Sequence, residues 1–240
     1  MIIQRISDIS ERITQAALNS HRTPSEITLV AVSKQKSVED ILAAYEAGIR
    51  HFGENRIEEL ENKAVQLAHL KDIQWHFIGR LQSRQSETVA RYASCFHALD
   101  RIKIAHRLSS HLVSLHKTLP VFIQVNVSGE KSKAGFECSD WEQHPQQGQE
   151  LATAITEIAQ LPALEIRGLM TMAPWEVEGP DLRLIFQRTF KLCVWLKNTL
   201  RCPLGSELSM GMSHDFEMAI EEGSTCVRIG SSIFGMRSSE

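Results

Sequence analysis

Eight short apolar runs, each followed by a helical pattern, constrain the fold of this 240-residue chain more than any other feature. Each run is nearly continuous in apolar residues, which is typical of strands buried on both faces of a parallel sheet. We predict strands at residues 27–32, 49–52, 74–78, 95–99, 120–127, 164–170, 207–210 and 226–230. This repetition predicts an α/β protein with a single (β/α)8 TIM barrel over residues 1–240. A doubly wound open sheet is the alternative.

The segments between these runs have the signatures of helices. Ile6, Ile9 and Ile13 recur at spacings of three and four, which predicts an amphipathic N-terminal helix. Ser37 is placed as the N-cap of a helix over 38–47, which Gly48 ends. Residues 137–149 lack periodicity and are rich in polar residues, so we predict an irregular loop there.

Composition excludes several classes of protein. Hydrophobic residues make up 42% of the chain, enough for a large core, and a net charge of −3 gives no general attraction to nucleic acid or anionic membranes. The five cysteines form no C-x-x-C pair, so we expect neither a disulfide framework nor a metal site. Neither a signal peptide nor a membrane-spanning run is recognisable. We therefore expect a cytoplasmic protein.

The chemistry of a barrel of this type is expected at the carboxyl ends of its strands. Lys34 follows the first apolar run, and Arg228, Gly230 and Ser231 close the last one. The lysine amine can condense with a carbonyl, and backbone N–H groups at a glycine turn can hold a phosphate. These two strand ends together suit an aldehyde cofactor that carries a phosphate tail.

A second phosphate-binding candidate is the segment from Ser209 to Ser213, which combines glycine with serine hydroxyls and precedes a predicted helix. Each candidate also has a structural interpretation. Ser213 could serve only as a helix cap, and His76 could be a hydrogen-bonded core histidine. Arg228 could be a buried cation paired with Glu54 or Asp215.

Several motifs resemble the YggS/PROSC family of pyridoxal phosphate (PLP) homeostasis proteins, in order from about residue 5 to 237. The motifs are Leu29–Lys34, Phe52–Asn55, Trp75–Gly79 with Leu81-Gln82, Arg167–Met170, Leu208–Ser213 and Val227–Ser231 with Ile233–Gly235. The resemblance implies a PLP fold type III barrel, similar to the N-terminal domain of alanine racemase.

The resemblance also implies roles for individual residues. Lys34 would hold PLP as a Schiff base, and Arg228 would face the pyridine nitrogen, which disfavours protonation of that nitrogen and weakens the ring as an electron sink. The remaining cofactor contacts fall into two groups. Ser213, Gly230 and Ser231 would bind the phosphate, and Asn55, Ser209, Met210 and Gly211 would line the pocket.

Two departures from the family pattern stand out. Arg84-Gln85 replaces an Asn-Lys pair that is common in bacterial relatives, and the loop over 137–149 is longer than usual.

Lys133 matches a family lysine near the rim and is a candidate for a secondary PLP contact. Lys36 is a second candidate or a solvated side chain.

Two functions remain open from the sequence. The first is a non-catalytic, monomeric PLP carrier that buffers the cofactor and delivers it to PLP-dependent apoenzymes. The second is a PLP-dependent amino-acid racemase, which needs acid–base groups on both faces of the substrate carbon. In alanine racemase the second base is a tyrosine from an additional domain. Here the sequence ends soon after Arg228, and Tyr45 and Tyr92 are predicted within or near helices, so we favour the carrier.

Overall fold

The computed structural model describes residues 1–130 and 132–235, and its parallel strands close into a barrel. The strands are β1 (Thr28–Val32), β2 (His51–Glu54), β3 (Gln74–Phe77), β4 (Cys95–Leu99), β5 (Leu119–Asn126), β6 (Phe136–Glu137), β7 (Leu164–Met170), β8 (Glu207–Ser209) and β9 (Cys226–Ile229). Eight of them form the ring, because β4 pairs with β5 and β9 pairs with β1. The two-residue β6 joins the carboxyl end of β5. The predicted TIM barrel is thus confirmed, and the open-sheet alternative is wrong.

Helices alternate with the strands around the barrel. They are α1 (Ile2–Asn19), α2 (Val38–Glu46), α3 (Ile57–Gln66), α4 (Ser86–Tyr92), α5 (Ile102–Ser114), α6 (Pro145–Ala159), α7 (Gly179–Thr199), α8 (Phe216–Glu221) and α9 (Ser231–Phe234). The predicted Ser37 cap is confirmed, since its hydroxyl accepts the Asp40 N–H at 3.2 Å.

The prediction of a loop throughout residues 137–149 is wrong, because α6 begins at Pro145 inside it. A proline at the first helical position loses no intrahelical hydrogen bond, so this turn-forming residue here begins the helix. The short helix α9 was also not predicted, since four residues are too few to show a period.

The outer helices pack against the barrel through buried apolar side chains. Ile6, Ile9 and Ile13 of α1 are buried. This helix contacts α8 and α9, next to the paired first and last strands, β1 and β9. Within residues 1–130 and 132–235, no helix has both the length and the apolar character to cross a bilayer. All five cysteines are free thiols.

A β-bulge in β7 requires a glycine. The register of β7 against β5 shifts between Val121 and Phe122, and Gly168 there has φ +153°. A Cβ on Gly168 would lie 1.8 Å from the carbonyl oxygen of Glu207 in β8. The close approach of β7 and β8 therefore depends on the absence of a side chain at this position.

We expect Gly168→Ala to destabilise the barrel far more than Gly48→Ala. Both glycines have positive φ, but a Cβ at Gly48 meets nothing within 4 Å. Gly48→Ala should therefore cost only the backbone strain, about 1 kcal/mol. Gly168→Ala should cost at least about 3 kcal/mol, since β7 and β8 must separate. Denaturant unfolding followed by circular dichroism measures both, and equal costs would contradict the proposed clash.

Candidate functional site

The carboxyl ends of β1 and β9 are adjacent and in register. Val30 pairs with Arg228, and Ala31 pairs with Ile229. Gly230, the next residue of β9's exit, lies so near β1 that a Cβ on it would be 3.2 Å from the carbonyl oxygen of Val32. The segment that carries Lys34 and the glycine turn after β9 therefore leave the barrel side by side.

The backbone on both sides of Lys34 is held by hydrogen bonds. Ser33 donates its N–H to the Gly53 carbonyl at 3.0 Å and its hydroxyl to Glu54 Oε1 at 2.6 Å. Gln35 has φ +59° and donates its N–H to Glu59 Oε2 at 2.6 Å. Lys34 itself is half-buried between these fixed neighbours.

A buried ion cluster provides these anchors. Lys63 Nζ lies 2.8 Å from each of three oxygens: the Ser33 carbonyl, Glu54 Oε1 and Glu59 Oε2. Burial raises the pKa of the Glu54 carboxyl, and the Lys63 ammonium opposes this shift. Since an unpaired buried carboxylate is costly, Lys63 fixes the loop of Lys34 by stabilising Glu54.

Arg228 lies inside the barrel and is 4% exposed. Its Nη1 donates to Ser209 Oγ at 2.5 Å, and its Nη2 donates to the Thr171 carbonyl at 2.9 Å. Neither carboxylate considered from the sequence pairs with it, because Glu54 pairs with Lys63 and Asp215 accepts the Met212 N–H. The guanidinium is instead oriented by a hydroxyl and a carbonyl, which leaves further N–H donors for a ligand.

A chain of side-chain hydrogen bonds continues inward from Ser209. Ser209 Oγ lies 2.7 Å from His97 Nδ1, His97 Nε2 lies 2.7 Å from His76 Nδ1, and His76 Nε2 lies 2.9 Å from His51 Nδ1. His76 is thus a buried, hydrogen-bonded residue, as its structural interpretation held. Burial lowers the pKa of His76 to about 3, moves the pKa of His97 well below its ordinary value and also lowers the pKa of His51.

His76, Cys95 and His97 have the chemistry of metal ligands and lie close together. The facing nitrogens of the two histidines are only 2.7 Å apart. Two nitrogens on one tetrahedral zinc ion lie about 3.4 Å apart, given bonds of about 2.0–2.1 Å. The cluster as it stands is therefore a hydrogen-bonded pair of rings beside a thiol.

The two predicted phosphate-binding segments meet at the rim. Gly230 donates its N–H to Ser213 Oγ at 3.3 Å, which joins the exit of β8 to that of β9. Helix α9 starts at Ser231, and its first intrahelical donor is the Ile233 N–H, bonded to the Gly230 carbonyl at 3.0 Å. The preceding N–H groups, on Ser231 and Ser232, have no acceptor within the helix, which is the arrangement that favours an anion.

The other predicted pocket residues lie at the same rim in different environments. Met210 is fully buried, and its backbone bonds to Cys226 and Ser224. Gly211 has φ +98°, and its carbonyl accepts the Arg228 N–H at 3.0 Å. Asn55 follows β2 with an exposed side chain.

The two secondary lysine candidates also lie near this end. Lys36 Nζ donates to the Phe234 carbonyl at 3.3 Å, and Lys133 lies 3.8 Å from Glu130. The departing pair Arg84-Gln85 lies in a short 3₁₀ turn after β3.

Sequence reasoning missed the residues that support the site from behind. Lys63 had one available signal, its spacing of four from Glu59 on a helix. His97 had none, because a histidine in an apolar run does not show which side chain it meets across a barrel.

Comparisons with known proteins agree with this geometry. The family model of the alanine racemase N-terminal domain matches residues 12–238. A pyridoxal phosphate homeostasis protein of Vibrio alginolyticus is 44% identical, covering 98% of this chain and 97% of the relative. The structure of PipY from Synechococcus elongatus with PLP bound superposes with a TM-score of 0.83 at 30% identity, covering 98% of this chain and all of PipY. Alanine racemase of Clostridium difficile, at 13% identity, shares the fold, with a TM-score of 0.69 over 56% of its own length.

The fold and the matched model define the class, a barrel of the alanine racemase N-terminal-domain type. Within that class, the full-length similarity is to one group of relatives. The chain belongs to the family of pyridoxal phosphate homeostasis proteins.

We expect Lys63→Met to lower the free energy of unfolding by about 3–5 kcal/mol near neutral pH, because it leaves Glu54 buried without its cation. Loss of Lys63 raises the pKa of Glu54 further above its ordinary value of 4.5. A buried Glu54 with a raised pKa stabilises the folded state only while it is protonated, and this stability is lost as the pH rises. The difference in free energy of unfolding between wild type and Lys63→Met should therefore increase with pH above 4.5.

The control for this prediction is the exposed Lys191→Met on α7. Glu54→Gln combined with Lys63→Met should recover more than half of the loss, since no buried charge remains. Denaturant unfolding at several pH values measures all of these variants. A deficit that stays constant with pH would contradict the role of Lys63.

Proposed function

We propose that this protein binds pyridoxal 5'-phosphate covalently at Lys34 and serves PLP homeostasis as a carrier. The observation that carries the proposal is the meeting of three features at one rim. These are a lysine on a fixed loop, a buried arginine, and a joined pair of serine–glycine turns. The names of its family relatives, and the PLP bound by PipY, support the same function.

The side chains and backbone present suit the chemistry of PLP. When bound, PLP supplies an aldehyde that condenses with an amine and a phosphate that must be held. Gly230 has no side chain, so its backbone can approach a phosphate closely, and Ser213 and Ser231 add hydroxyl donors. The N–H groups that begin α9 provide further donors without an added charge.

Each predicted residue receives a role in this proposal. The Lys34 amine condenses with the aldehyde, and one water molecule leaves. Arg228 faces the ring nitrogen. The remaining positions hold the phosphate (Ser213, Gly230, Ser231) or line the pocket (Asn55, Ser209, Met210, Gly211).

The position of the tyrosines favours a carrier over a racemase. The chain has two tyrosines, and the Tyr45 hydroxyl donates to Asp72 at 2.7 Å, in the loop before β3. Tyr92 ends α4, just before β4 begins. Both therefore lie toward the amino ends of the strands, opposite the rim of Lys34. A racemase needs a second acid–base group at that rim, so we propose that the protein is not an enzyme.

We extend the proposal to the protein's setting. One barrel domain, acting as a monomer in the cytoplasm, would buffer PLP and pass it to PLP-dependent apoenzymes. The five free cysteines suit a reducing compartment. Neither nucleic acid nor a membrane is among the proposed partners.

We expect borohydride reduction of the PLP-loaded protein to fix one pyridoxyl group, located at Lys34 by mass spectrometry. Lys34→Ala should lose this adduct and the absorption of the bound cofactor. The exposed Lys71→Ala, in the loop before β3, should keep both. A wild-type adduct in Lys34→Ala, or an adduct on another residue of the native protein, would contradict the assignment.

The carrier and racemase functions predict different exchange at the α-carbon of amino acids. We expect the PLP-loaded protein to leave this proton unexchanged in heavy water beyond the rate with free PLP, since both tyrosines lie at the opposite end of the barrel. Proton NMR of an amino-acid panel measures the exchange. Rapid deuterium uptake that Lys34→Ala abolishes would establish racemase-type chemistry instead.

A further inference from the structure

The polar chain inside the barrel follows a regular path. His51 begins β2, and its hydrogen-bond partner His76 lies two positions further along the barrel, since Gly53 pairs with His76. The next step repeats this offset, because His76 pairs with Cys95 while it bonds to His97. The chain thus climbs diagonally across β2, β3 and β4, and then crosses the interior to Ser209 in β8.

The last step reaches the rim. Ser209 pairs with Cys226 in register, and it accepts its hydrogen bond from Arg228, again two positions further along. His76, His97, Ser209 and Arg228 are at most 6% exposed, and only His51, at the amino end of β2, is half-buried. Buried polar side chains connected in this way act as a unit, since no water replaces a lost bond.

The available donors and acceptors determine the direction of each hydrogen bond between Arg228 and His51. A guanidinium can only donate, so Ser209 Oγ accepts from Arg228 and its own O–H points elsewhere. The nearby alternatives are His97 Nδ1 at 2.7 Å and the thiol of Cys226, which is a weak acceptor. The cation also polarises the hydroxyl as a donor. The Ser209 O–H therefore donates to His97 Nδ1.

This first bond fixes the proton positions that follow. A neutral histidine has one N–H, so an accepting Nδ1 places the His97 proton on Nε2, which donates to His76 Nδ1. By the same reasoning, His76 Nε2–H donates to His51 Nδ1. Burial keeps the rings neutral by lowering the pKa of His76 to about 3 and that of His97 well below its ordinary value.

We propose that His97, supported by His76 and His51, is a positioning residue that holds Arg228 toward the cofactor through Ser209. An arginine held by flexible or solvated groups would swing between partners. Here one nitrogen is bound to a hydroxyl whose own proton is committed to His97, and the other is bound to the Thr171 carbonyl. The guanidinium plane is thereby fixed from two sides.

The role toward PLP rests on the proposed function, whereas the hydrogen-bond chain itself does not. With three neutral rings behind Ser209, no acid competes for the Arg228 charge along this path. Arg228 therefore presents a cationic donor to a ligand in front of it, and its orientation is set before the ligand arrives.

The direction of this chain of hydrogen bonds can be tested in the protein without PLP. Long-range nitrogen–proton NMR of protein labelled in histidine nitrogen should show His97 and His76 as neutral rings with the proton on Nε2. Peaks are assigned by their loss in His97→Phe and His76→Gln. A proton on Nδ1 of His97, or a doubly protonated ring near neutral pH, would overturn the proposed direction.

Positioning is tested with a pair of variants at one residue. His97→Phe keeps an aromatic ring beside Phe122, whose centroid lies 4.7 Å away, but removes the acceptor for Ser209. His97→Asn keeps an acceptor near the position of Nδ1. The slowly exchanging guanidinium N–H signals of Arg228 should disappear in His97→Phe and remain in His97→Asn.

The same pair separates this inference from the proposed function. In PLP-loaded protein, His97→Phe should release PLP to an excess of an apo-aminotransferase about tenfold faster than wild type, because Ser209 loses its buried acceptor. His97→Asn and the exposed His106→Asn should stay within about twofold of wild type. Unchanged Arg228 signals and release in a folded His97→Phe would overturn the positioning role.

The two failures would look different. If wild type forms no reducible adduct at Lys34, the proposed function fails, while the tautomers and the Arg228 signals still decide the positioning role. If the adduct forms but His97→Phe behaves as wild type in both measurements, only the positioning role fails. Should His97→Phe not fold, the wild-type tautomers and the Arg228 signals of His97→Asn provide the decision.

Discussion

The burial of the Arg228 guanidinium is the constraint on which the site depends. A cation inside a barrel loses most of its hydration, and burial accordingly lowers its pKa. The structure offsets this cost with two hydrogen bonds and with the charge of nearby Asp215, without forming an ion pair. Because no carboxylate of residues 1–130 or 132–235 is hydrogen-bonded to it, Arg228 retains N–H donors for a ligand.

The part of the site around Lys34, in contrast, is held by a direct ion pair. Lys63 and Glu54 form a direct buried ion pair, and its hydrogen bonds extend to Ser33 beside Lys34. Such a pair contributes little net stability but is costly to break, so it fixes a conformation. One rim thus combines a loop locked by paired charges with an arginine oriented by neutral groups, and barrel closure sets the distance between them.

The strands were predictable because parallel barrel strands are apolar on both faces. The positions of Lys34 and Arg228 at the carboxyl ends of β1 and β9 were predictable because both residues end such runs. The start of α6 was not, since Pro145 ends some elements and begins others. The support behind the site was also hidden. Which side chain faces Ser209 depends on the stagger of β4 against β8 across the barrel, and sequence spacing within one strand carries no information about that stagger.

Under the proposed function, the lysine side and the arginine side of the site would together bind a cofactor without using it in catalysis. Covalent attachment needs only an amine on a fixed loop, and the Lys63 cluster provides that loop. Racemase-type catalysis would need a second acid–base group at the rim, and a ring nitrogen that accepts a proton would make the ring a stronger electron sink. In the proposed site, a cationic Arg228 backed by neutral histidines would disfavour protonation of the ring nitrogen, and Tyr45 is bound to Asp72 at the far end. Under the proposed function, the same buried groups that orient Arg228 would favour storage and release of PLP over turnover.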